Sequence, residues 1–233
     1  MNGMPSLKQY TANPVLVGVI ASRASLARAI RLRRPPDFFE LRLDALRPSL
    51  DAVERAIPRL RAPLILTARH PAEGGQGDLE SPTRRALLRR FLEHPALVDI
   101  ELRSVPQMKT LLLELRRRRI GLLISVHCLK DTPPIEELHR LAKSAAAARP
   151  AFLKIVTRTD KPAQLARLIS FFLEAPAARY PLAVMGMGKL GLQSRLRLDR
   201  LGSALTYVSL GEPNSKGQPS LSQLRRARRA YIR

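Results

Sequence analysis

Lys154 stands between Phe152-Leu153 and Ile155-Val156, an apolar run in which a primary amine is out of place. Burial there disfavours the charged form, and nearby arginine charge would add to the effect. The residue therefore reads as a neutral, nucleophilic amine of the kind that condenses with a ketone to an imine. His127 ends another apolar run, and an ordinary pKa of about 6.5 suits an imidazole to remove and return a proton at neutral pH. Other apolar runs are interrupted in the same way: Glu40, Arg42 and Asp44 at alternate positions, then Thr67 and Arg69, then Asp99 and Glu101. Taken singly, each could be a buried ion pair or a snorkelling chain. Alternate residues of a strand share a face, so Lys154, His127, Arg69 and Arg42 would meet in one pocket if their strands surround a common axis. Cys128 beside His127 invites a Cys/His nucleophile reading, but neighbours on a strand point to opposite faces. His94 and His139 fall in helical stretches and read as surface residues, and His70 follows Arg69 in a loop with no clear role.

The elements that must carry these residues recur along the whole chain. Strand patterns begin at Val15 (VLVGVIA), Phe38 (FFELRLD), Leu64 (LILTAR), Leu97 (LVDIEL), Gly121 (GLLISVH), Phe152 (FLKIVTR), Pro181 (PLAVMG) and Leu205 (LTYVSL). Between them lie helix patterns. One begins at Asp51, and Ser81-Pro82-Thr83 opens an arginine-rich stretch to Glu93. Thr132-Pro133-Pro134 leads into Glu136 to Ala148, and Asp160 with Pro162 opens a helix through Leu173. Strands alternating with helices predict a parallel sheet, and an uninterrupted series with no Gly/Ser linker predicts closure. The expectation is a single (β/α)8 TIM-barrel domain over residues 1–233, with 1–13 as a loose extension and the functional residues at the C-terminal strand ends.

Composition narrows the partners. The 233 residues carry 41 Lys+Arg against 19 Asp+Glu, a net charge of +22 that favours anions, from small carboxylates to nucleic acid. Aromatics make up only 4% with no Trp, which leaves few stacking platforms for single strands, so nucleic acid is not the expected partner. Arg116 to Arg119 follow the helical Leu111 to Leu115, where cations complement a helix C-terminus and Gly121 can end the turn. Arg225, Arg226, Arg228 and Arg229 are expected on a solvated helix face, with RNA or an anionic membrane as the alternative contact. One cysteine excludes an intrachain disulfide and a cysteine-cluster metal site, in keeping with a reducing, cytoplasmic setting. No apolar run approaches the roughly 18 residues of a membrane span, and Val15 to Ala21 reads as a strand more than as a signal segment.

Short motifs from Val15 onward occur in a specific order: ELRLD from Glu40, TARHPAEGG from Thr67, VDIEL from Val98, SVH ending at His127, LKI around Lys154, MGMGKLGLQSR ending at Arg195, LGSALTY from Leu201 and SKGQ ending at Gln218. With these motifs the chain resembles the type I 3-dehydroquinate dehydratases, the Schiff-base-forming class of 3-dehydroquinase. The resemblance implies a homodimer of barrels with no cofactor and no metal, a lyase dehydrating 3-dehydroquinate to 3-dehydroshikimate in the shikimate pathway. It makes Lys154 the amine that attacks the C3 ketone and His127, oriented by Glu73, the proton carrier. Arg195 becomes the carboxylate clamp, since a planar guanidinium pairs both oxygens. Glu40, Arg42 and Arg69 would hold the ring hydroxyls, Gln218 would close from the last loop, and Met185 would form an apolar wall. Asp44 and Asp99 would support these groups from behind.

Some positions depart from the family pattern. Its serine four residues before the glutamine is Asn214 here, with Ser215 one place later, and its Asp-Phe after the histidine is Cys128-Leu129. The small residue two after the lysine is Val156, and the serine of the first strand corresponds to Gly18. Three other readings stay open. Gly186-Met187-Gly188-Lys189-Leu190-Gly191 is a literal GxGxxG with Glu212 downstream, the mark of an NAD(P)-binding dehydrogenase, although too little chain follows it for a dinucleotide-binding half. The others are a basic RNA-associated protein and a barrel homologue with impaired catalysis.

Overall fold

The structure, a computed structural model, describes residues 14–175 and 180–231. The expected extension over residues 1–13 lies outside the described residues. Eight parallel strands, β1 (Val15–Ile20), β2 (Phe38–Arg42), β3 (Leu64–Thr67), β4 (Pro95–Glu101), β5 (Gly121–Cys128), β6 (Phe152–Arg158), β7 (Leu182–Met187) and β8 (Leu205–Ser209), pair in the order β7-β6-β5-β4-β3-β2-β1-β8. The two ends of this sheet meet. Ala204 N–H donates to the Leu182 carbonyl at 2.9 Å, and Ser203 Oγ accepts from Val184 N–H at 2.9 Å and donates to Val184 O at 3.1 Å. The expected (β/α)8 barrel is thereby nearly closed.

Helices fill the outside: α1 (Arg23–Arg31), α2 (Leu43–Leu46), α3 (Leu50–Ala56), α4 (Ser81–Arg90), α5 (Lys109–Arg117), α6 (Ile135–Ala146), α7 (Pro162–Glu174), α8 (Gly191–Arg200) and α9 (Leu221–Tyr231). Their starts follow local chemistry. Ser22 Oγ accepts from Ser25 N–H at 3.1 Å while Ser25 Oγ accepts from Ser22 N–H at 2.9 Å, a reciprocal cap on α1. Pro162 takes the first turn of α7, and Gln164 Oε1 reaches back to Lys161 N–H at 3.0 Å. Among the described residues no helix is long and apolar enough to cross a membrane.

The strand alternation divides the core in two. Leu16, Ile20, Phe39, Leu41, Leu66, Ile100, Ile124 and Ile155 point outward into the layer shared with the helices. Val17, Phe38, Ile65, Leu97, Leu123, Phe152 and Leu205 point inward and plug the N-terminal end of the barrel. Two residues further along the same inward rows stand Val19, Glu40, Thr67, Asp99, Ser125, Lys154 and Tyr207, so the plug gives way to polar groups at one level of the barrel. This is why apolar runs carry single charges: the outward row stays hydrophobic while the inward row changes character halfway up.

Several expectations need correction. Strand β2 stops at Arg42, so Asp44 lies in α2 and reaches the inward face from a helical turn. Strand β3 stops at Thr67, which puts Arg69 just past its end. Gly121 opens β5, and the left-handed residue that ends the turn after α5 is Arg119, at φ 57°. His94 is exposed in the turn following α4, which ends at Arg90 before the expected Glu93. Within that arginine-rich helix Arg84 is fully buried: its guanidinium donates to Ala68 O at 2.7 Å and Ser104 Oγ at 3.0 Å and pairs with Glu101. Of the four arginines on α9, Arg226 and Arg229 are exposed. Arg228 is paired with Asp199 at 2.7 Å, and Arg225 donates to Pro35 O at 2.9 Å.

Candidate active site

At the C-terminal ends of the strands the barrel opens into a cavity of about 210 Å³. Lys154, His127, Glu73, Glu40, Arg42, Arg69, Arg195, Gln218, Asn214 and Met185 all line it, so the residues singled out from the sequence share one site. Val19, Leu129, Val156, Met187, Tyr207 and Ser215 complete the walls.

Lys154 rises from the middle of β6 and is 3% exposed. Its Nζ donates to Asp99 Oδ2 at 3.0 Å, lies 3.8 Å from Glu40 Oε1, and sits over the Tyr207 ring at 4.2 Å from the centroid. Burial lowers its pKa; Asp99 opposes that and Arg69 adds to it, with a net displacement towards the neutral amine. Asp99 is itself held by a second cation. Arg69 donates to Asp99 Oδ2 at 2.7 Å and Oδ1 at 3.2 Å, and its Nη1 also reaches Ser125 Oγ at 2.6 Å and Glu101 Oε1 at 3.1 Å. Burial alone would raise the Asp99 pKa, but Arg69 and Lys154 hold it far below the usual carboxylate range. Most of the Arg69 donors are thus committed inside the protein, and Nη2 lies 3.8 Å from Glu40 Oε1. Behind this layer Glu101 accepts from His70 N–H at 2.9 Å and is gripped by Arg84, which ties α4 to the floor of the site.

His127 comes from the end of β5. Glu73 Oε2 accepts from its backbone N–H at 2.9 Å and lies 2.8 Å from its Nδ1. With Nδ1–H assigned as the donor in that bond, Nε2 carries the free lone pair. Burial lowers the His127 pKa well below its ordinary value, and Arg69 and Lys154 lower it further, so the ring stands neutral as a base must. Burial and the neighbouring Glu101 push Glu73 up to about 7. Arg103 Nε, 3.3 Å from Glu73 Oε1, pulls the other way. Arg42 is held by Asp44, with Nε–Oδ1 at 3.0 Å and Nη2–Oδ2 at 2.8 Å, which aims the rest of the guanidinium at the cavity. Asp44 also accepts from the backbone N–H of Arg69 at 3.2 Å and Gln76 at 3.0 Å, so it fixes the β3 loop as well. His70, without a clear role in the sequence, accepts from Ala72 N–H at 3.0 Å and starts the turn that presents Glu73.

Arg195, on α8, is 4% exposed and has no carboxylate partner among the described residues. Its contacts are neutral: Gly186 O at 3.1 Å, Met185 Sδ at 3.2 Å, Tyr207 O at 3.3 Å and Ser215 Oγ at 3.3 Å. Burial pulls its pKa down to about 10. Ser215 arrives from the loop between β8 and α9, where Gln218 Oε1 accepts from Asn214 N–H at 2.8 Å and folds the loop over the cavity. Gly217, at φ +84°, packs so tightly that a Cβ there would fall 2.6 Å from Gly191 Cα. The GxGxxG glycines therefore serve packing: Gly186 backs onto Ser194 Oγ and Thr159 Oγ1, Gly188 lies on Asp160, and Gly191 lies on Gly217. The strand that leads into the motif, β7, pairs with β6 and meets the start of β8 as part of the barrel, so the motif does not open a dinucleotide-binding half.

Of the departures, Leu129 and Val156 do line the cavity, whereas Gly18 faces outward against Pro36 and Leu210, and the wall of β1 is Val19. Cys128 packs on the outer side, and burial pushes its thiol up to about 11, which leaves no role as a nucleophile. Sequence reasoning missed Tyr207, Ser125 and Arg84. The first two carry the same signal as Lys154, a polar residue at an inward position of an apolar strand; Arg84 carries none, because its helix reads as a charged surface. Among the described residues no group of three or more His, Cys, Asp or Glu is placed to hold a metal ion.

The family model described as Type I 3-dehydroquinase matches residues 15–231. The 3-dehydroquinate dehydratase of Thermococcus onnurineus is 31% identical over 215 residues, spanning 91% of this chain and 96% of that protein. The solved 3-dehydroquinate dehydratase of Enterococcus faecalis is 27% identical with a TM-score of 0.80, covering 94% of each chain. That of Geobacillus kaustophilus, 24% identical and covering 95% of this chain and 93% of its own, matches in fold with a TM-score of 0.84. With a family match over nearly the whole chain and an inward row of the composition described above, the chain belongs to the type I 3-dehydroquinase family of hydro-lyases.

Proposed function

We propose that the protein dehydrates 3-dehydroquinate to 3-dehydroshikimate through an imine on Lys154, as a step of the shikimate pathway. One observation carries this reading: a buried guanidinium, in ion-pair contact with no carboxylate among the described residues, and a buried, desolvated amine line the same cavity. Such a cavity suits a molecule that bears both a carboxylate and a ketone. Lys154 Nζ attacks C3, and loss of water gives the iminium, which acidifies the C2 proton. His127 Nε2 takes that proton and leaves an enamine. The electron pair then expels the C1 hydroxyl, to which the imidazolium returns the proton so that it departs as water. Hydrolysis of the conjugated imine releases 3-dehydroshikimate and restores the amine. Glu73 holds the imidazolium, Arg195 holds the carboxylate, and Glu40, Arg42 and the Nη2 edge of Arg69 take the ring hydroxyls. Asn214, Ser215 and Gln218 cover the site, with Met185 as its apolar wall. In this reading the chain works as one domain, as a homodimer in the cytoplasm, and without a cofactor.

Borohydride added with 3-dehydroquinate tests the chemistry. Reduction of the imine leaves a stable adduct on Lys154 that peptide mass spectrometry locates, and recovery of unmodified protein alone defeats the proposal. Light scattering during gel filtration checks the dimer.

A further inference from the structure

Tyr207 stands in the inward row of β8 and is 4% exposed, with its aromatic face under Lys154 Nζ. Its hydroxyl is the buried side-chain polar atom left without a hydrogen-bond partner among the described residues. A buried, unsatisfied hydroxyl costs about 1–3 kcal/mol, and folded proteins seldom keep one without a use. Phenylalanine would fill the same space against the inner core of Val17, Val19 and Met185 without that cost. The residue lines the cavity, so the missing partner belongs to whatever the cavity holds.

We infer that the Tyr207 hydroxyl is a substrate-binding donor, placed for the oxygen on the carbon that Lys154 attacks. The inference rests on the Lys154 reading proposed above. The groups that bear electrostatically on the phenol are Glu40, Asp99, Arg69 and Arg195, and the first two also lie within 3.8 Å and 3.0 Å of the Lys154 amine. The carboxylates are already engaged: Asp99 by Arg69, Lys154 and Ser125, and Glu40 by Thr67 Oγ1 at 2.8 Å. Burial, with Glu40 and Asp99 close by, pushes the phenol well above its ordinary pKa, so it stays protonated and acts as a donor. When the amine adds to the ketone, negative charge grows on the carbonyl oxygen. A fixed O–H there stabilises the developing alkoxide and then the carbinolamine hydroxyl, which leaves as water. No proton need leave Tyr207 in this role.

Tyr207→Phe tests it, because the ring and its contact with Lys154 remain and only one oxygen is lost. The expected result is a melting temperature equal to or above that of the unsubstituted protein, together with at least about tenfold slower borohydride trapping at saturating 3-dehydroquinate. Trapping at the unsubstituted rate overturns the inference. So does a defect confined to KM, which would place the hydroxyl on the carboxylate beside Arg195. A companion comparison avoids the chemistry: Lys154→Met and Lys154→Met/Tyr207→Phe are titrated calorimetrically with 3-dehydroquinate. About tenfold weaker binding by the double variant supports the contact, and equal binding removes it. If the unsubstituted protein forms no adduct, the imine reading fails, while this pair still decides whether Tyr207 touches the ligand.

Discussion

Replacing Arg195 by methionine should separate function from stability. In the fold the guanidinium stays charged at pH 7 although burial lowers its pKa to about 10, at a cost of about 3 kcal/mol. A depressed base is disfavoured in its charged form, so this cost is present in full below about pH 10 and fades only above it. Methionine removes it and forfeits the bonds to Gly186 O, Tyr207 O and Ser215 Oγ, each worth about 1 kcal/mol. The two contributions nearly cancel, and the melting temperature should stay within about 4 °C of the unsubstituted protein. Catalysis has no such compensation. Two charge-assisted bonds to a substrate carboxylate, one from the remaining Nη2 hydrogen and one from Nη1 in place of its contact with Met185 Sδ, at about 1.5–3 kcal/mol each, correspond to a fall of about 10² to 10⁴ in kcat/KM. Initial rates followed by the enone absorbance of the product, beside scanning fluorimetry, give both numbers. A melting temperature lowered by more than about 10 °C, or kcat/KM within about threefold of the original, would refute the assignment of Arg195 as a carboxylate clamp held at little net cost to the fold.

The remaining predictions concern the proton carrier. His127→Ala should still yield the borohydride adduct while turnover falls by about 10² to 10⁴, and near-normal turnover would show that another group acts as base. Glu73→Gln should lower kcat most above about pH 7, where the ionised carboxylate balances an imidazolium and an amide cannot. Its effect on stability should depend on pH: with a pKa raised to about 7, the acid of Glu73 contributes stability below its ordinary 4.5 that is lost as pH rises to about 7. The variant should therefore melt higher relative to the parent at pH 8 than at pH 4, by several degrees, and a pH-independent difference would contradict the raised carboxyl.

The sequence by itself determined the barrel and most of the site. Period-two alternation in Phe38–Arg42 or Phe152–Arg158 shows which residues share a face, and repeated βα units show that those faces converge. Lys154, His127, Glu40 and Arg42 were legible on that basis, because the face a strand residue takes is a local property. The resemblance added Glu73 and Arg195, which sit outside the strands and have no periodic signal. What neutralises each charge was decided only in three dimensions, by chain segments far apart in sequence. Arg69 meets Asp99 across 30 residues and Ser125 across 56, which commits most of its donors inside the protein, and His127 meets Glu73 across 54. In the same way Arg84, one arginine among many on α4, is driven inside because Glu101 waits there. Among the described residues Arg195 lacks a carboxylate partner and the Tyr207 hydroxyl lacks any hydrogen-bond partner, and a missing partner has no trace in sequence, since it appears only when every neighbour has been placed.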